Sequence, residues 1–310
     1  MKRKHSWTGR GCKPGLGAFL SLLCAAGIPA LAQAPSPAPA PLQAKQPATE
    51  APETGLQAAS EKAWGILREG MKDGSAEKRA KAVRALGLLP GNEEAEKAAI
   101  NALQDKNPNV RMAAATALGS MQAEHAKLEL EGTLLDSEPT VALAAANSLL
   151  LLHDDVGYDL YYDVLTGERR ARKGLIKEQL EILKDKKKVA KLGFEEGIGF
   201  IPFAGIGYEA FKTVAKNDSS PVRAAAAKQL AHDPDPGTAK ALVKAAADKN
   251  WQVRAAALEA IAQRNDPLLV PKIAAALEDE KDVVRFTAAA CVAHLSKLAA
   301  TKSEDKTTKQ

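Results

Sequence analysis

The chain repeats one pattern about every 31 residues, and this repetition limits its fold more than any other feature. Each copy opens with Asp or Asn and has Ala nine residues later in all six copies. Val stands five residues after the start in five of the six copies, and Leu, Ile or Val stands thirteen residues after it. The copies start at residues 73, 105, 136, 217, 248 and 279, and the first is the loosest match. The chain must therefore fold from similar units.

The pattern within one copy is that of a helix pair. Positions five, nine and thirteen lie on one face of an α-helix, where the small Ala lets a neighbouring helix approach closely. Apolar residues six and two positions before each start predict a second helix upstream. Because one pair cannot bury its apolar face alone, the pairs must stack. The sequence predicts an all-α fold, a right-handed α-solenoid of about seven repeats over residues 56–300, with residues 57–71 as a capping helix whose Trp64 covers the open end.

One repeat is enlarged. The spacing between the copies at 136 and 217 is 81 residues, and a start at Gly167 keeps the apolar phases on both sides. This places an enlarged repeat at residues 167–216, with a longer first helix and a long linker. Gly167 replaces the opening Asp and Lys173 replaces the Arg found six residues after most starts. We therefore expect the repeats at 136 and 167 to pack differently and to bend the solenoid.

The pattern D-x4-V-R followed by an Ala-rich helix resembles the HEAT repeat, and within it the short HEAT-like repeats named after the phycobilin lyases. The resemblance is to exported bacterial proteins with HEAT repeats, and it implies an ARM/HEAT-like solenoid. It also implies that the opening Asp and the Arg six residues later form a structural ladder that bridges neighbouring repeats. The matching residues here are Asp73 with Arg79, Asp105 with Arg111, Asn217 with Arg223, Asp248 with Arg254, and Asp279 with Arg285.

The two ends of the chain differ from the repeats. Residues 1–32 have a basic start, an uncharged apolar run and Ala30-Leu31-Ala32, which together are typical of a secretory signal peptide. A membrane anchor is the alternative, but the run is short for a bilayer. A lipoprotein would use Cys24, and the Leu23 before it argues against that. Residues 33–55 are a Pro/Ala-rich linker and residues 301–310 are predicted to be a disordered tail.

Removal of the signal peptide changes the charge of the chain. The full sequence has a net charge of +5, and residues 1–32 hold five Lys or Arg and no Asp or Glu. The exported chain is therefore neutral, and its composition gives no reason to expect a nucleic-acid partner. The predicted location is the periplasm or the exterior of the cell.

The linker of the enlarged repeat contains an uncharged apolar segment, 197-GIGFIPFAGIG-207, beside a basic helix. Three interpretations stay open: an internal plug of the solenoid, a docking site for a protein, or a docking site for an anionic membrane surface. The candidate docking residues are Phe200, Ile201, Phe203, Tyr208, Lys186, Lys187 and Lys188.

Motifs for catalysis are missing from the sequence. It has no P-loop, no G-x-S-x-G, no C-x-x-C and no His-Glu dipeptide of the kind that HEAT-type di-iron hydroxylases carry. The histidines of the exported chain are spread along the repeats and are not expected to converge on a metal: His125, His153, His232 and His294. Cys291 is expected to be a buried hydrophobic residue. The sequence predicts no cofactor and no metal. It leaves enzymatic activity uncertain and favours a protein without such activity.

A binding scaffold is the function that fits these features. We expect a non-catalytic scaffold of the cell envelope that binds an unidentified protein or peptide on the concave helix face. Two alternatives remain: a tetrapyrrole-binding or lyase protein like the phycobilin lyases, with Tyr158, Tyr161 and Tyr162 lining a groove, and a peripheral protein that docks on a membrane through residues 197–207.

Overall fold

Every regular element is helical in the computed structural model, which describes residues 51–166 and 219–308. The helices are α1 (Ala51–Lys72), α2 (Ala76–Ala85), α3 (Glu93–Ala102), α4 (Pro108–Ser120), α5 (Lys127–Thr133), α6 (Pro139–Leu151), α7 (Val156–Thr166), α8 (Ser220–Gln229), α9 (Pro236–Ala245), α10 (Trp251–Gln263), α11 (Val270–Ile273) and α12 (Asp282–Thr308). Short 3₁₀ turns cover Leu86–Leu88, Glu124–Ala126, Leu230–His232, Pro267–Leu269 and Ala274–Glu278.

The helices alternate as the repeats predict. We call the helix that follows each opening Asp or Asn the B helix (α2, α4, α6, α8, α10 and α12) and the helix before it the A helix. Within each described stretch the B helices pack beside one another, α2 with α4, α4 with α6, α8 with α10, and α10 with α12. The all-α solenoid predicted from the repeats is confirmed. Residues 167–216, with the expected bend at Gly167, lie outside the described residues.

Local sequence explains where the B helices begin. Asn107 and Asn250 cap α4 and α10, because their side-chain oxygens accept hydrogen bonds from backbone N–H groups in the first turn. Pro108 and Pro139 occupy the first helical position, where the missing N–H costs nothing. At the other end of the chain, α12 continues to Thr308 and so runs through most of the segment for which the sequence suggests a tail.

The core is built from the positions that the pattern marks. Ala114, Leu118, Ala257 and Ile261, at positions nine and thirteen of their copies, have no exposed surface. Such close packing of Ala against large aliphatic side chains stabilises each pair of neighbouring repeats by excluding water.

The copy at 217 departs from this rule. Val222 and Leu230, at its positions five and thirteen, are exposed, whereas Ala224, Ala227 and Ala231 are buried. Ala226, at position nine, is exposed as well, so the expectation that positions five, nine and thirteen face the core is wrong for this copy. The physical reason is the position of the neighbouring helix. Among the described B helices α10 packs along α8, so α8 buries the face that contacts α10.

The first and last repeats are in contact. Helix α12 packs along α1 and also against α2, so that the repeats at 217, 248 and 279 continue in space into those at 73, 105 and 136. We call this contact the closing seam. The prediction that α1 caps an open end with Trp64 is corrected, since α12 lies there; Trp64 is half-buried, with the Arg68 guanidinium 5.5 Å from its ring centre.

The closing seam depends on a close approach at Gly70. A Cβ atom at this position would lie 2.5 Å from Phe286 Cζ and 2.8 Å from Ala82 Cβ, closer than real contacts allow. The ring of Phe286 is buried against α1 at this point. Two polar contacts also join the first and last repeats. Lys62 Nζ lies 2.5 Å from Glu278 Oε1, and Lys297 Nζ donates to the carbonyl of Gly91 at 2.7 Å.

Arg–Asp pairs join the other described seams. Arg111 donates to both carboxylate oxygens of Asp136 in the next repeat, at 2.7 and 2.8 Å, and Arg254 does the same to Asp279. Arg79 pairs in this way with Asp105 at 2.9 Å, and Arg223 pairs with Asp248. Each bridge thus runs from the Arg of one repeat to the opening Asp of the following one.

Each partner of a bridge also holds its own turn. Arg111 Nη1 donates to the carbonyl of Asp105 at 3.0 Å, and Asp136 Oδ1 accepts from the N–H of Glu138 at 2.9 Å. Hydrogen bonds from Arg111 and Arg79 hold the pKa of Asp136 and Asp105 below the ordinary value of 3.8. One side chain therefore fixes two turns and the angle between them.

The ladder ends at the closing seam. Arg285, in the last described repeat, pairs with Asp282 on its own helix, and its Nη1 donates to the carbonyl of Asp279 at 2.8 Å. Asp73 contacts Lys78 of its own repeat at 3.4 Å. Helix packing, and not an Arg–Asp bridge, therefore joins the last repeat to the first.

By length and composition, one described helix could cross a membrane. It is α12 over Asp282–Lys302, but 67% of that stretch is buried inside the protein. This burial is typical of a core helix of the solenoid.

The bridges should contribute strongly to stability. We expect Arg111→Ala to lower the free energy of unfolding by about 3 kcal/mol, because Asp136 would keep an unpaired charge with only 11% of its side chain exposed. Lys97→Ala, which breaks an exposed pair with Glu93, should cost less than about 1 kcal/mol. Urea unfolding followed by circular dichroism measures both; equal losses would contradict this role of the ladder.

The ladder should also make stability depend on pH. The lowered pKa of Asp105 and Asp136 means that their contribution is complete above the ordinary value of 3.8 and is lost as the pH falls below it toward the folded-state pKa. Thermal melts between about pH 6 and pH 2.5 should therefore show a steep loss at the acid end. The Asp105→Asn, Asp136→Asn variant should start lower and show a shallower loss. Parallel curves for the two proteins would count against this explanation.

The closing seam can be tested at two glycines of one helix. Gly70→Ala should destabilise the protein by about 1–3 kcal/mol, because the new methyl group overlaps Phe286. Gly65→Ala has open space and should stabilise α1 by up to about 1 kcal/mol. Adding Phe286→Leu to Gly70→Ala should recover part of the loss. If both glycine variants melt alike, α1 does not pack on α12 as described.

Candidate functional site

The docking residues predicted from the sequence lie outside the described part of the chain. They are Lys186, Lys187, Lys188, Phe200, Ile201, Phe203 and Tyr208. The plug, the protein-docking and the membrane-docking interpretations of residues 197–207 therefore stay predictions.

A central cavity of about 530 Å³ is the site that the described residues offer. All six B helices contribute side chains to its lining, most of them from the C-terminal halves of these helices. The contact between the last and first repeats brings α12 and α2 beside each other in this lining. We call this space the central cavity.

The lining comes from the same positions of successive repeats. Position eleven contributes Arg84, Thr116, Asn147, Lys228 and Glu259, and position fifteen contributes Leu88, Ser120, Leu151, His232, Gln263 and His294. Positions eleven and fifteen are one helical turn apart and lie away from the face that carries positions five, nine and thirteen. Unlike position nine, which is always Ala, these positions differ from repeat to repeat.

Charge is distributed unevenly around the cavity. Three cationic side chains line the cavity, Lys81 and Arg84 on α2 and Lys228 on α8. The one acidic side chain of the described lining is Glu259 on α10. The lining therefore has a net charge of +2 when both histidines are neutral. Lys228 Nζ lies 2.8 Å from Glu259 Oε2, and Lys81 pairs with Glu77 on its own helix. Helices α4 and α6 contribute the neutral side, with Thr116, Ser120 and Asn147.

Two histidines share this cavity. His294 is buried, and its Nε2 donates to Asn265 Oδ1 at 2.6 Å. Burial, together with the positive charge of Lys297, lowers the pKa of His294, which keeps the ring neutral at neutral pH. His232 lies in the same lining from the end of α8. The sequence predicted that the histidines do not converge on a metal. These two border one space, and within residues 51–166 and 219–308 no three ligating side chains form a metal site.

The remaining candidate residues lie away from the cavity. Cys291 is fully buried, as expected, and burial raises the pKa of its thiol, so that the thiol is unreactive. Tyr158 and Tyr162 are exposed, whereas burial raises the pKa of Tyr161. None of the three tyrosines belongs to the described lining of the central cavity.

The ladder borders a second concavity. A groove of about 800 Å³ lies between the C-terminal ends of α3 and α5, and its walls include Asp105, Arg111 and Asp136. Leu135, exposed over 79% of its surface, stands at its edge. Asp105, Arg111 and Asp136 of this groove form or flank the bridge between two repeats, and only two of the described repeats contribute to its walls, so we regard the central cavity, which all six described B helices line, as the stronger candidate.

Sequence reasoning missed the cavity stripe although a signal was present. Every described copy has at least one polar side chain at positions eleven and fifteen, and its identity varies, whereas position nine is always Ala. A helix face that is polar and variable is normally solvent-exposed, so this signal becomes specific only once the B helices are known to surround one space.

The family follows from this architecture and from a direct comparison. A family model described as HEAT repeats matches residues 66–150 and 209–293. The chain belongs to the HEAT repeat family. Among solved structures, human deoxyhypusine hydroxylase in complex with glycerol is similar, with 16% identity over 78% of this chain and 99% of that chain and a TM-score of 0.31. No curated protein matches the chain.

Proposed function

We propose that this HEAT-repeat protein is a non-catalytic binding scaffold of the cell envelope that holds a protein or peptide on its B helices. One observation carries the proposal: all six described repeats direct the side chain at position fifteen into one cavity, and five of them add a different polar side chain at position eleven. Uniform positions form the core, and variable positions present a composite surface. This separation is typical of repeat proteins that bind extended partners.

The size of the cavity limits what can enter. A volume of about 530 Å³ lies within the range of about 300–1,000 Å³ for ligand sites. It can accept a few residues of an extended polypeptide, but not a folded domain. The concave face expected from the sequence is therefore proposed here as a pocket for a chain segment. The rest of the partner would lie on the rim.

The cell-envelope location rests on residues 1–32, whose pattern is that of a signal peptide. Export would remove this segment and leave residues 33–50 of the predicted linker ahead of the solenoid, since α1 begins at Ala51. In this arrangement the semi-rigid linker would separate the binding domain from the N-terminus of the exported chain.

The proposal can be tested by blocking the cavity. Residues 33–310 are immobilised and exposed to cell-envelope extract, beside an Asn147→Trp, Gln263→Trp variant that places two large rings in the central cavity. We expect the unmodified chain to retain a partner that the variant loses. The control, Asn101→Trp with Gln104→Trp, makes the same changes in the groove between α3 and α5 and should retain the partner.

All three proteins must first show the same helical circular dichroism and melting temperature. Equal retention by both variants would place the binding surface outside the central cavity. Loss in the control alone would move the site to the groove. Visible absorbance or stoichiometric metal in the purified protein would contradict a purely non-catalytic scaffold.

A further inference from the structure

We propose that the central cavity selects an acidic segment of the bound polypeptide, with Lys81, Arg84 and Lys228 contacting its carboxylates. This inference rests on the proposed function and adds the chemistry of the partner. Three cations and one acid line the cavity, although the exported chain as a whole is neutral. Glu77, which pairs with Lys81 from outside the lining, reduces this local excess from two positive charges to one.

The arrangement of the charges supports the choice of ligand. The cations lie on α2 and α8, which flank α10 and α12, so that they surround the part of the cavity that also contains both histidines. Lys81, with 21% of its side chain exposed, is screened less than a cation on an open surface, so a carboxylate gains more from it than from Lys228, whose side chain is 55% exposed. Thr116, Ser120 and Asn147 on the opposite side supply hydrogen-bonding groups for the peptide backbone.

Glu259 has a defined part in this selection. Its carboxylate lies 2.8 Å from Lys228 Nζ and so holds this cation in place when no ligand is bound. An incoming carboxylate must share Lys228 with Glu259 and is repelled by it. Removal of Glu259 should therefore strengthen the binding of an acidic peptide, whereas removal of Lys228 should weaken it twice over, through a lost cation and an unpaired Glu259.

These opposite signs can be measured by fluorescence anisotropy. The probe is a labelled hexapeptide of alternating Ala and Glu, compared with the matched peptide of alternating Ala and Gln. We expect the Glu peptide to bind residues 33–310 at least about tenfold more tightly, since one charge-assisted contact is worth about that factor. Its affinity should fall as salt is raised.

The variants then assign the effect to the cavity. Lys228→Gln and Lys81→Gln should each weaken binding of the Glu peptide about tenfold, and Glu259→Gln should strengthen it by a similar factor. Lys97→Gln removes an exposed cation on α3 and should change nothing. A purely structural role of these residues would not produce changes of opposite sign in proteins that melt alike.

Three outcomes would overturn the inference. They are equal binding of the Glu and Gln peptides, insensitivity to the changes at Lys228 and Glu259, and binding of inorganic tripolyphosphate in the cavity without binding of the Glu peptide. The last result would identify a site for a small free anion. The proposed function fails separately, because it depends on whether the tryptophan-blocked cavity still retains a partner from extract.

Discussion

The Arg–Asp bridge between neighbouring repeats is the interaction on which the rest of the structure depends. In three of the four described bridges, those of Arg79, Arg111 and Arg254, the guanidinium donates to the carbonyls of its own turn and to both oxygens of the next opening Asp. That carboxylate accepts a backbone N–H in its own turn. A planar, bidentate donor fixes direction as well as distance, which a lysine could not do. The bridge therefore sets the angle between successive B helices, and the repeated angle sets the curvature that brings the last repeat to the first.

The closing seam shows what replaces the ladder where it ends. No bridge joins Arg285 to Asp73, and the seam depends on contact between α1 and α12, with Phe286 against Gly70. In a stack of repeats the terminal units normally leave an apolar face uncovered and need a cap. Here the two terminal repeats of the described chain cover each other, so that the first repeat has a neighbour on both sides.

Much of this fold could be predicted from the sequence, because a repeat fixes its local neighbours. The Ala at position nine and the aliphatic residue at position thirteen specify the helix pairs. The resemblance to HEAT repeats implied that Asp and Arg bridge neighbouring repeats, and the structure adds that each Arg pairs with the Asp of the following copy. The closing seam could not be predicted from the sequence. The curvature of the solenoid is the total of small rotations between neighbouring repeats, and no single residue determines that total. The exposed Val222 and Leu230 show the same limit, since burial at one copy depends on which face its neighbour covers.

The central cavity was missed for a related reason, and this reason bears on its function. A polar stripe that faces a shared cavity has the same periodicity as one that faces water, so only the tertiary structure distinguishes them. Position nine is Ala in every copy and is buried in all of them except the copy at 217, whereas position eleven carries Arg, Thr, Asn, Lys, Glu or Ala. The chemistry of the cavity can therefore change one repeat at a time while the stack stays intact. A scaffold built in this way can acquire a charged, partner-specific lining without losing stability.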